Sequence, residues 1–119
     1  MAPKVKTVAS ITNGQFYENH GKTLGLVLHG EQVGFERLIS ESAMNRPGLA
    51  LAGFFSYFAP KRVQVLGHSE MAYLRKLPDA MRFDRFRRLC DREIPCLVIA
   101  RGLTLEPELV TVANQHGIP

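Results

Sequence analysis

Three short apolar runs constrain this chain more than anything else in it: "LGLVL" at residues 24–28, "VQVL" at residues 63–66 and "CLVIA" at residues 96–100. Their length and their branched residues favour strands over helices, and runs this uniformly apolar suit a sheet covered on both faces. Between the second and third lie roughly thirty residues of helical pattern, the length a crossover needs when two strands run parallel in one sheet. That is a β-α-β unit, expected to be right-handed. The predicted fold class is therefore α/β: one small domain with a mainly parallel sheet and helices on both faces.

Within the crossover, Ser69 is expected to cap a short helix on which Met71, Leu74 and Leu77 repeat every three residues, and Pro78 to end that helix and start another. On the second helix Phe83, Phe86, Leu89 and Cys90 form a core-facing stripe, with Arg85, Arg88 and Arg92 on a different face. After the third run, Pro107 suits a first helical turn. Leu109, Val112 and Ala113 would make the buried stripe, and Gly117 a C-terminal stop. Near the start, Val5, Val8 and Ala9 suit a helix stopped by Asn13-Gly14, although "KVKTV" also alternates in part like a strand. The stretch "NRPGLALAGFF", residues 45–55, opens with a turn at Pro47-Gly48 and is too apolar for an exposed loop. Its small residues allow close backbone approach, in a core or in a subunit contact.

At 119 residues, with 45% apolar and 22% charged side chains, the chain can bury a core without a disulfide or metal staple. The N-terminus has no apolar signal core and no run approaches the roughly 20 residues of a membrane span, so the expected compartment is the cytoplasm, with no membrane partner. Cys90 and Cys96 read as plain thiols there, and the four histidines have no ligand spacing. No metal site is expected. The formal charge of +4 is modest for a nucleic-acid binder. Arg85, Arg88 and Arg92 share their helix with Asp84 and Asp91, beside Glu93 and without an aromatic stacking pattern, so no nucleic acid is expected as a partner.

One local match needs weighing. Gly21-Lys22-Thr23 has the order that ends a phosphate-binding loop, G-x-x-x-x-G-K-[ST]. The position that requires the first glycine is Phe16, and Gly14 lies two residues too early. A working loop also follows a strand and opens a helix, whereas Thr23 here is expected to lead straight into "LGLVL", with Gly21 and Lys22 forming the turn. Other catalytic patterns fail too. Ser42, Ser56 and Ser69 lack a glycine-flanked elbow, Cys90 lacks an activating partner, and Asp79, Asp84 and Asp91 sit among arginines as surface ion pairs. Arg46, before the Pro47-Gly48 turn, and Arg101, before Gly102 at the end of the third run, could each clasp an anion at the strand ends or tie down a loop. With the neighbouring Asn45 and Gly102 they make up the candidate contact set for a ligand or partner.

Taken together, "MNRPGLALAGFFSYF" at residues 44–58, "RVQVLGHSEMAYLRKL" at residues 62–77, "IPCLVIARGL" at residues 94–103 and "PELVTVANQHGIP" at residues 107–119 resemble the N-terminal domain of HPr kinase/phosphorylase. The order and spacing of these blocks cover most of the chain from Gly30 onward. Met44 stands where the family pattern has isoleucine, and the opening thirty residues match loosely. The resemblance implies a bacterial enzyme of carbon-source regulation. That enzyme phosphorylates a serine of the phosphocarrier protein HPr with ATP and magnesium, removes the phosphate with inorganic phosphate to give pyrophosphate, and assembles as a homo-oligomer, a hexamer. It also implies a fold similar to the uridine-nucleotide-binding domain of Mur ligases. In the family the phosphate loop and catalytic residues lie in a C-terminal kinase domain. Residues 1–119 are therefore expected to be a non-catalytic N-terminal domain, with no cofactor of its own and a structural or regulatory role. The alternative is a free-standing binding module for an anionic small ligand such as a nucleotide.

Overall fold

The branched run at residues 63–66 forms β4 (Val63–Leu66), the middle strand of a three-stranded parallel sheet between β3 (Met44–Asn45) and β5 (Leu97–Ile99). The structure is a computed structural model and describes residues 10–119. The expected helix on Val5, Val8 and Ala9 lies outside them. The crossover from β4 to β5 carries the two expected helices, α3 (His68–Lys76) and α4 (Asp79–Cys90). Pro78 separates them as expected: its ring forces Leu77 into an extended conformation, which α3 cannot continue. The start of α3 corrects the sequence reading. Its N-cap is Gly67, and Glu70 rather than Ser69 satisfies the Gly67 N–H, at 2.8 Å, because a glutamate at the third helical position reaches back to the cap.

Parallel register sets Leu97 beside Gln64 and Ile99 beside Leu66, so these four share one face of the sheet. On that face the core assembles from Leu66, Leu74 of α3, Phe86 and Leu89 of α4, and Ile94. α2 (Gly48–Leu51) contributes Leu51, and α5 (Pro107–Gln115) contributes Leu109. Burying each such side chain contributes about 1.5–3 kcal/mol. The stripe read on α4 is the one that is buried, with Phe83 packed at its border. α5 also follows expectation: Pro107 occupies the first turn, Leu109 and Ala113 are buried, and the chain turns at Gly117 with φ 73°. There the Ile118 N–H returns to the Ala113 carbonyl at 2.9 Å and drops Ile118 into the core. The opposite face of the sheet, with Val63, Val65 and Val98, is half-buried.

The N-terminal third departs from the sequence reading. Asn13-Gly14 opens a helix instead of closing one. β1 (Ile11–Thr12) pairs antiparallel with β2 (Leu38–Ile39), and α1 (Asn13–Leu24) begins at a reciprocal cap in which Thr12 Oγ1 accepts from the Gln15 N–H while Gln15 Oε1 accepts from the Thr12 N–H. The run "LGLVL" is not a strand. Leu24 ends α1, Gly25 takes the left-handed conformation with φ 70°, and its neighbour Leu26 returns an N–H to the Gly21 carbonyl at 2.8 Å. A helix stop of this kind uses up the glycine, and residues 26–28 run on without joining either sheet.

Candidate functional site

The candidate contact residues fall at the carboxyl ends of the parallel strands, in two groups. Asn45 ends β3 and Arg46 follows it, while Arg101 and Gly102 follow β5. The first group is fully engaged. Arg46 donates from Nε to Glu70 Oε2 at 3.0 Å and from Nη2 to Glu70 Oε1 at 2.7 Å, a bidentate pair. Glu70 is 4% exposed, whereas the Arg46 side chain is half-exposed. Burial pushes the Glu70 carboxyl up, but the hydrogen bond from Arg46, the backbone N–H groups of Glu70 and Gly67 and the Arg46 charge together hold it below its ordinary value. Hydrogen bonding to Glu70, then its charge, raises Arg46 in turn.

Gly67 permits this arrangement by what it lacks, since a Cβ there would collide with the Arg46 guanidinium. Asn45 is tied down beside it. Its Nδ2 donates to Gln64 Oε1 at 2.7 Å, and the fully buried Gln64 donates at 2.9 Å to both the Ala59 and the Arg62 carbonyl. Among the described residues Arg46 bonds no backbone carbonyl, as a loop tie of the expected kind would; it pairs with the Glu70 carboxylate and so fastens the β3–α2 turn to the start of α3.

Arg101 and Gly102 have no such partners. Both are exposed, Arg101 makes no ion pair or hydrogen bond among the described residues, and Gly102 has φ 80° with open space around it. They stand at the rim of an apolar groove of about 620 Å³ between the outer side of β5, the end of α1 with residues 25–29, and α5. Asn13 stands in its wall, 4% exposed. Its Nδ2 holds the Gly34 carbonyl at 2.9 Å and the Pro95 carbonyl at 2.7 Å, while its Oδ1 has no hydrogen-bond partner.

Gly21, Lys22 and Thr23 lie in the last turn of α1, not in a turn entering a strand. The end of a helix that faces them presents carbonyl oxygens, the wrong polarity for phosphate. Phe16 still occupies the first glycine's position, and the element order fails at a helix end instead of at the entry to a strand. Among the described residues no group of three His, Cys, Asp or Glu side chains could hold a metal ion. Cys90 and Cys96 are free thiols, and burial pushes both up to about 12, with the Asp91 charge adding to it at Cys90. Such thiols are inert. The arginines expected on one helix face are likewise spent: Arg88 of α4 pairs with Asp84 at 3.0 Å, Arg85 donates to the Leu51 carbonyl, and Arg92, in the turn after α4 and not on the helix, lies 3.8 Å over the Phe55 ring.

Two further arginines carry structure that sequence reasoning missed. Arg82 donates to the Leu74 and Leu77 carbonyls, both at 2.9 Å, and meets Glu106, joining α3, α4 and the start of α5. Arg37 donates to the Ile94 and His116 carbonyls. Nothing local marks either one, because carbonyl partners leave no trace in the sequence.

The fold and these strand ends define an α/β domain whose polar residues brace loops, with an open apolar groove beside β5. The family model for the HPr serine kinase N terminus matches residues 11–119. The HPr kinase/phosphorylase of Prosthecochloris aestuarii is 40% identical over 112 residues, which cover 92% of this chain and 33% of that protein. The HPr kinase/phosphorylase of Alkaliphilus metalliredigens is 47% identical over 79 residues, 66% of this chain and 26% of that protein. That of Chlorobium limicola is 39% identical over 115 residues, 92% and 34% respectively. The chain belongs to the HPr serine kinase N-terminus family. It spans about a third of the length of the curated relatives it matches.

Proposed function

We propose that this chain serves as the non-catalytic N-terminal domain of an HPr kinase/phosphorylase, a bacterial enzyme that acts on a serine of HPr. The observation that supports the reading most is the match of residues 11–119 to an N-terminal family whose relatives are about three times longer. The strand ends agree with it, since Asn45 and Arg46 brace turns. On this reading ATP, magnesium and the reacting groups belong to the remainder of the enzyme. This domain contributes to assembly, as part of a homo-oligomeric and hexameric cytoplasmic enzyme, and positions the catalytic part. Among the described residues no helix is long and apolar enough to cross a membrane.

Purified chain incubated with HPr, ATP and magnesium is expected to leave HPr unmodified, while the same sequence joined to a kinase domain phosphorylates it. Serine phosphorylation by the chain alone at an enzyme-like rate refutes the reading. An anion-binding module resting on Arg46 would first have to pull its guanidinium off a buried carboxylate. Arg101 and Gly102 remain the contact candidates with free groups.

A further inference from the structure

We draw no further inference here: the strongest candidate, the apolar groove beside β5, where the Leu97 carbonyl and both backbone groups of Ile99 have no hydrogen bond among the described residues, is lined by Pro119, whose carbonyl already takes the Leu97 N–H, and nothing in the structure shows what covers the rest of it.

Discussion

The two flanks of the central strand β4 are built in opposite ways. On the β3 side, polar groups close on one another: Arg46 with Glu70, Glu70 with the Gly67 N–H, and Asn45 with Gln64. On the β5 side, a backbone edge, the Asn13 Oδ1 and the Arg101 guanidinium lack partners among the described residues. The fastened flank holds the domain's own turns in place, whereas the groups of the other flank stay unpaired among the described residues.

If the β3 side is a brace, removing its buried anion should cost most. Glu70→Ala leaves the Gly67 N–H uncapped and Arg46 unpaired. Urea denaturation is expected to show a loss of about 2–3 kcal/mol, below the roughly 3–5 of a fully buried pair because Arg46 is half-exposed. The same carboxylate gives the brace an acid limb. With its folded value depressed, Glu70 contributes stability that is fully present above the ordinary value of 4.5 and is lost as pH falls through the lower folded value. Stability measured from pH 6 down to pH 2 should therefore fall more steeply in the native chain than in Glu70→Gln. Parallel curves would remove Glu70 from the account. A smaller effect, about 1 kcal/mol, is expected for Gly67→Ala, because the half-exposed Arg46 side chain can shift from the new methyl and still bond the Glu70 carboxylate. Smallest of all is Arg101→Ala on the open flank, expected to move stability by less than about 0.5 kcal/mol. A large loss there would erase the contrast.

How far the sequence anticipated this contrast depends on where each interaction's cause lies. β4, β5 and their two-helix crossover were legible, because run length, branched residues and Pro78 act locally. So was α5, with Pro107 at one end and Gly117 at the other. The run "LGLVL" misled because four or five apolar residues suit a strand and a helix end equally, and Gly25 decided the matter by its positive φ. Asn13-Gly14 misled in the same way: asparagine suits both ends of a helix, and the Thr12 and Gln15 pair fixed which end this was. β3, two residues long, has no pattern to read. Arg46 and Arg101 were recognised as strand-end arginines, but their difference was hidden. Glu70 lies 24 residues from Arg46, and only the tertiary fold brings it near. The groove was hidden for the same reason, since β5, α1 and α5 enclose it from separate parts of the chain.

Amide hydrogen exchange of the free chain compares the two flanks in one experiment. The account predicts that the Gly67 N–H, buried and bound to Glu70, exchanges only on global unfolding, while the Ile99 N–H, in the strand next to it, exchanges orders of magnitude faster. Equal protection of the two amides would contradict it, because the β5 edge would then be closed in the free protein.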